Sequence, residues 1–216
     1  MKISLPIDAH ISSILEAFET NPSLILSASP GAGKTTRLPP ALLERTKRKI
    51  LVLEPRRIAA IGAAARIAEE NAWTIGHEVG YQVRFENRSS RETRIIFLTE
   101  ALLLRKMLRD PSLEDVDCVV LDEFHERSLH IDLALGALFE LQQLSRTDLK
   151  IVVMSATLDA QPLSKYLGSA PIFSVPGKLY PLKIVYEEKP QLCRVGPEFS
   201  ERIRKLVQKA FAENRE

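Results

Sequence analysis

Cysteine is scarce in this sequence. Only Cys118 and Cys193 occur among its 216 residues, and neither shares a metal-type spacing with the four histidines. A zinc site and a disulfide framework are therefore not expected. Two isolated thiols are typical of reduced cysteines in a cytosolic protein, so we expect a cytoplasmic location.

Long apolar runs and a strong net charge are also missing. No run approaches the roughly 20 apolar residues that span a bilayer, and the first residues lack a signal-peptide core, so we expect no membrane partner. The formal net charge is only +2, which limits any nucleic-acid surface to a local patch. With 45% hydrophobic and 27% charged residues, the composition is that of an ordinary globular protein, which we expect to be a monomer.

Short apolar runs alternate with segments of helical spacing. The runs predict strands at 24–27, 50–53, 94–98, 118–121 and 151–154, with a further one at 79–85. Helices are predicted at 7–19, 35–45, 56–70, 100–109 and 131–145. This alternation indicates an α/β fold, in which helices flank both faces of a mainly parallel sheet.

The composition changes after about residue 170, where prolines become frequent and the alternation stops. One more strand is possible at 182–187, followed by a charged amphipathic helix at 198–213. We therefore expect a first domain over 1–178. Residues 179–216 are expected to be a linker and the start of a truncated second domain.

A phosphate loop is the clearest motif. Gly33-Lys34-Thr35 fits the end of the G-x-x-x-x-G-K-[ST] pattern, although Ala28 stands where that pattern has its first glycine. Gly31 and Gly33 would let the backbone approach phosphates closely at the positive end of a helix. Lys34 would reach the β- and γ-phosphates of a nucleoside triphosphate, and the hydroxyl of Thr35 would bind Mg²⁺.

An acidic pair follows the run at 118–121. Asp122 at a strand end could hold Mg²⁺, and Glu123 could orient and deprotonate an attacking water. An Asp-Glu pair alone is usually an ordinary strand exit, but the phosphate loop earlier in the chain favours the catalytic interpretation. Two arginines, Arg56 and Arg57, follow another predicted strand, at the sheet edge where ligands gather in open α/β folds.

Six segments in order resemble the DEAH-box helicases over about residues 10–187. Residues 122–127 read Asp-Glu-Phe-His-Glu-Arg, with Phe124 in place of the Ala that names the family. The other five segments are 29–36 (motif I), 54–60 (motif Ia), 80–86, 99–105 (motif Ib) and 155–157 (motif III). The loop sequence, Phe124 and the Thr-Glu-Ala of motif Ib are most similar to the bacterial HrpB subfamily.

The resemblance implies a RecA-like P-loop NTPase domain, the first of two that enclose ATP, with the second absent from this chain. It implies nucleotide contacts from the phosphate-loop residues and an arginine that stacks on adenine: Ser29, Pro30, Gly31, Ala32, Gly33, Lys34, Thr35, Thr36 and Arg66. Mg²⁺ is assigned to Thr35, Asp122 and Glu123, and catalysis to Lys34, Asp122, Glu123 and His125. Coupling to strand movement is assigned to Ser155, Thr157 and His125, and a nucleic-acid groove to Arg56, Arg57, Arg84 and Thr99.

The expected function is an ATP-dependent helicase acting on single-stranded nucleic acid, RNA more than DNA. Two alternatives stay open. One is a P-loop ATPase that moves protein partners, which has no need of Arg56, Arg57 and Arg84. The other is a nucleotide-binding module with little activity alone, because an arginine finger from a second domain can contribute about 10³–10⁵ in rate.

Overall fold

The computed structural model describes residues 4–156, 159–177, 184 and 196–213. The chain divides into two compact units, Met1–Leu179 and Tyr180–Glu216. The first unit contains a sheet with helices packed on it, and the described part of the second is a helix. Over the described residues, no helix is both long and apolar enough to cross a membrane.

Eight strands form one sheet in the order β4-β3-β5-β2-β6-β7-β1-β8. All neighbours are parallel except β3 and β4, which form an antiparallel hairpin. The strands are β1 (Ser23–Ala28), β2 (Lys49–Leu53), β3 (Val79–Val83), β4 (Glu86–Arg88), β5 (Ile95–Leu98), β6 (Val116–Leu121), β7 (Lys150–Ser155) and β8 (Ile172–Val175). Every predicted strand of the first unit is therefore present.

Within the described residues, seven α-helices precede, connect or follow these strands. They are α1 (Ile11–Thr20), α2 (Lys34–Leu42), α3 (Arg57–Asn71), α4 (Glu100–Arg109), α5 (Leu129–Leu144), α6 (Ala160–Tyr166) and α7 (Pro197–Glu213). The helix predicted at 7–19 begins instead as a 3₁₀ turn, Pro6–His10, and α2 is extended by a second 3₁₀ turn, Leu43–Arg45. Pro6 lies in the first turn, where its missing N–H costs nothing.

Two apolar clusters lie on opposite faces of the sheet. Leu24 and Leu26 of β1 belong to one cluster together with buried residues of α1, α2 and α3. Ile25, between them, belongs to the other cluster together with buried residues of α4, α5 and α6. Successive strand residues point to opposite faces of a sheet, so the two clusters lie on opposite sides. Helices therefore cover both faces. The predicted α/β class with a mainly parallel, two-sided sheet is confirmed.

The sequence patterns missed three elements. β4 is the short polar segment Glu-Asn-Arg, and β8 lies at the opposite edge of the sheet with only Val175 buried. The seven-residue helix α6 was also missed, and the alternation predicted to stop near residue 170 continues through β8. The strand predicted at 182–187 lies outside the described residues apart from Ile184.

Candidate active site

The phosphate loop connects the end of β1 to the start of α2. Gly31 and Gly33 have φ values of 77° and 91°, in the left-handed region that favours glycine. A Cβ on Gly33 would also lie 2.6 Å from Cδ1 of Leu5. The N–H of Ile7 donates to the carbonyl of Ala32 at 3.1 Å. The segment before α1 therefore packs against the loop and fixes its shape.

A second contact holds the start of the loop. The N–H of Gly177 donates to Oγ of Ser29 at 3.1 Å, and a Cβ on Gly177 would lie 2.4 Å from that of Ser29. The N–H of Ser29 donates to the carbonyl of Val175, at the end of β8. The missed strand β8 therefore has a role, because it supports the loop.

The phosphate loop and the acidic pair are in direct contact. Nζ of Lys34 lies 2.6 Å from Oε1 of Glu123, and the Thr35 hydroxyl donates a short hydrogen bond to Oδ2 of Asp122. Asp122 is fully buried, and its Oδ1 accepts from the N–H of Glu123 at 2.8 Å. Parallel topology explains the meeting, because β1 and β6 end at the same edge of the sheet on either side of β7.

Burial raises the pKa of two carboxyl groups at this edge, Asp122 and Glu54. It raises the pKa of Asp122 to about 6, although Lys34 and the Thr35 hydroxyl act in the opposite direction. Burial and the neighbouring charge of Asp122 raise the pKa of Glu54 to about 8. Glu54 is 3% exposed and directly follows β2, whose last residue pairs with Leu121 just before the acidic pair. A cation at this edge would favour the ionised forms.

The donor set fits magnesium. A hydroxyl from Thr35 and a carboxylate from Asp122 are hard oxygen ligands, and Mg²⁺ completes its shell with waters and substrate phosphates. Among the residues that the structure describes, no group of three or more His, Cys, Asp or Glu could hold a metal.

His125 connects the acidic pair to the end of β7. Its Nδ1 lies 3.4 Å from Oε2 of Glu123 and 3.5 Å from the N–H of Ala156. Because one nitrogen cannot donate to a carboxylate while it accepts from an N–H, these contacts are alternatives. The hydroxyl of Ser155 is buried and, within the described residues, has no hydrogen-bond partner. Thr157, the other residue assigned to coupling, lies outside the described residues.

Arg66 lies on α3, where it pairs with two carboxylates of the same helix. Its Nε is 2.6 Å from Oε1 of Glu70, and Nη1 is 3.4 Å from Oε2 of Glu69. Glu70 also accepts from Nη1 of Arg37 on α2 at 2.8 Å. The shared carboxylate links Arg66 to the helix that follows the loop, while its contact with adenine stays a prediction.

The four residues assigned to nucleic acid follow the ends of three neighbouring strands. Arg84 follows β3, Thr99 follows β5, and Arg56 and Arg57 follow β2. Arg56 is 72% exposed at its side chain and lies 2.6 Å from Glu126, three residues beyond Glu123. The β3-β5-β2 half of the edge therefore adjoins the β6-β7-β1 half that holds the phosphate loop.

Several contacts in the site were not predicted. Glu126 pairs with Arg56 and Glu86 with Arg57, and both glutamates lie inside segments that resemble family motifs. Glu54 could have been noticed for the same reason, since it opens motif Ia. No local pattern marks Gly177, because its partner Ser29 is 148 residues away.

Comparisons with known proteins agree with this geometry. The family model for DEAD/DEAH box helicases matches residues 9–165. The probable ATP-dependent RNA helicase DHR2 of Saccharomyces cerevisiae is 40% identical, covering 88% of this chain and 26% of that protein. The probable ATP-dependent RNA helicase DHX40 of Pongo abelii is 43% identical, covering 83% and 24%.

A solved structure gives the same result. The crystal structure of the DEAH/RHA helicase HrpB of Escherichia coli superposes with a TM-score of 0.86 and 41% identity, covering 95% of this chain and 27% of that one. The chain therefore spans about a quarter of the length of these relatives. The predicted resemblance to DEAH-box helicases of the HrpB type is confirmed.

Proposed function

The chain belongs to the DEAD/DEAH box helicase family, and we propose that it binds Mg²⁺-ATP and single-stranded nucleic acid as part of a helicase. The pairing of Lys34 and Thr35 with Glu123 and Asp122 carries the proposal, since it brings the phosphate loop to the acidic pair. RNA is favoured over DNA because the curated relatives are named RNA helicases.

Lys34 has two partners in this proposal. Its ammonium pairs with Glu123 in the structure, and it would turn to the β- and γ-phosphates of a bound nucleotide. The loop N–H groups and the start of α2 supply further positive potential for the phosphates. Mg²⁺, when bound, neutralises charge on the phosphate oxygens and would be held through Thr35 and Asp122.

Glu123 becomes available once Lys34 leaves it. Its carboxylate can then orient the attacking water and accept its proton, which is the work of a general base. The two alternative contacts of His125 connect that change to Ala156 at the end of β7. Ser155 and Thr157 are proposed to couple this change to movement of the bound nucleic-acid strand.

Turnover by the chain alone is expected to be slow. Charge on the transferring phosphoryl group is met in this superfamily partly by arginine fingers from a second domain, whose loss costs about 10³–10⁵ in rate. We therefore propose that these 216 residues bind ATP weakly and hydrolyse it very slowly. Robust turnover by the purified chain would contradict this part of the proposal.

Two measurements test the function. Binding of a fluorescent ATP analogue with Mg²⁺ is expected for the wild-type chain and for Glu123→Gln, and is expected to be lost in Lys34→Ala. Lys47→Ala, in an exposed turn, is the matched control. In a polypeptide extended to the length of the relatives, RNA should stimulate ATP hydrolysis. No stimulation by any single strand would reject the helicase function.

A further inference from the structure

Phe85 has an unusual position at the tip of the β3–β4 hairpin. Its side chain is 88% exposed, and its φ is 68°. The left-handed region is a genuine outlier for a bulky residue and persists only where the surroundings enforce it. A tight hairpin turn requires a positive φ and favours Gly or Asn at that position, so the unusual feature is that an exposed aromatic residue stands there.

The hairpin is fixed by bonds to Glu86, the residue after Phe85. The Tyr81 hydroxyl donates to Oε1 of Glu86 at 2.7 Å, and Nη2 of Arg57 donates to Oε2 at 3.3 Å. Residues Val83 and Glu86 are cross-strand partners, so only Arg84 and Phe85 form the turn. The Phe85 ring is therefore presented on a rigid support that is tied to α3 through Arg57.

One face of the ring lies beside an arginine. The guanidinium carbon of Arg84 lies 4.7 Å from the ring centroid, and Arg57 reaches the same hairpin. The ring keeps most of its surface open to solvent despite the arginine. An open aromatic ring beside arginines that can meet phosphates is the arrangement on which proteins stack bases of single strands without reading their sequence.

We propose that Phe85 is a stacking platform for one base of the bound single strand, beside the phosphate contacts made by Arg56, Arg57 and Arg84. This inference rests on the proposed nucleic-acid function and adds a contact to the base itself. Every base has a π-face, so the contact gives affinity without sequence preference. It would also hold the strand in register at the hairpin while the phosphates are held by the arginines.

The test is binding of labelled single-stranded RNA of about twelve nucleotides to the full chain, followed by fluorescence anisotropy at low salt. Phe85→Ala and Phe85→Leu are expected to weaken binding by about 5- to 150-fold, since both lack an aromatic face. Phe85→Trp should bind as tightly as the wild type or more tightly. Phe211→Ala, which removes another exposed Phe, is the matched control and should leave affinity unchanged.

A strand with abasic sites separates stacking from other roles. It keeps every phosphate, so Phe85→Ala and the wild type should bind it equally, and the salt dependence of binding should be the same for both. Equal losses on normal and abasic strands, or no loss on either, would overturn the stacking role. Failure of the wild-type chain to bind any strand would instead reject the proposed function itself.

Discussion

Gly31 and Gly33 have the same type of backbone conformation in different surroundings. A Cβ on Gly31 would meet nothing within 4 Å, whereas one on Gly33 would overlap the side chain of Leu5. Gly31→Ala is expected to lower the free energy of unfolding by about 1–2 kcal/mol, from φ strain alone. Gly33→Ala should cost roughly 2–5 kcal/mol, because overpacking is added. Urea denaturation measures both.

The double variant Leu5→Ala/Gly33→Ala isolates the overlap. Truncating Leu5 removes its Cδ1 but leaves its Cβ at 3.1 Å and Cγ2 of Ile7 at 3.2 Å from the added Cβ. It should therefore recover the larger part of the overpacking but not the φ strain, so the two substitutions should be non-additive. Strict additivity would show that Leu5 does not press on the loop.

Glu54 makes stability depend on pH. Its pKa is about 8 in the folded chain against 4.5 without burial, so the folded state keeps a proton that the unfolded state loses. The stabilising contribution is complete below pH 4.5 and is lost as the pH rises through 8. Glu54→Gln should therefore gain melting temperature over the wild type as the pH rises through this range. Glu114→Gln, an exposed matched control, should show no such gain.

At the scale of elements, burial decides what a pattern can predict. The strands β1, β2, β5, β6 and β7 are apolar runs because parallel strands covered on both faces need apolar residues at every position. β4 and β8 are edge strands with a single pairing neighbour each, so their sequences carry little of that signal. Helix α6 buries only Ala160 and contains Pro162, so its sequence carries little signal of a helix.

Arg146 is expected to be the strongest polar support between elements. It lies just beyond α5 and is 8% exposed. Its guanidinium donates to the carbonyl of Leu113, which precedes β6, and to that of Val116, the first residue of β6. It also donates to the carboxylate of Asp148. Arg146→Ala should lower the free energy of unfolding by about 2–4 kcal/mol, because buried carbonyls lose their donors. Arg48→Ala, an exposed ion-pairing control nearby, should cost under about 1 kcal/mol.

At the scale of the molecule, the order of the strands assembles the site. The motifs predicted which residues matter, and the alternation predicted that strand ends would meet at one edge. Neither predicted that Lys34 pairs with Glu123 or that Arg56 pairs with Glu126, because those contacts join distant parts of the chain. Such pairings depend on strand order and side-chain conformation, which a local pattern does not contain.

The phosphate contacts proposed for Arg56 and Arg57 can be tested by the salt dependence of single-strand binding. Each phosphate contact on a single strand contributes about 0.7 to the slope of log K against log salt concentration, so Arg56→Ala/Arg57→Ala should reduce that slope by about 1.4. Arg45→Ala/Lys47→Ala, at the opposite edge before β2, should leave it unchanged. An unchanged slope in the first variant would favour an ATPase that acts on protein partners.

The Glu123 carboxylate, paired with Lys34, would compete with a nucleotide phosphate for that lysine. A γ-phosphate would have to displace this carboxylate from Lys34, so the apparent affinity for ATP would be lowered by the free energy of breaking the ion pair. Glu123→Gln should therefore tighten nucleotide binding even while it removes the proposed general base. The carboxylate proposed as the general base would then also raise the apparent dissociation constant for nucleotide by a constant factor.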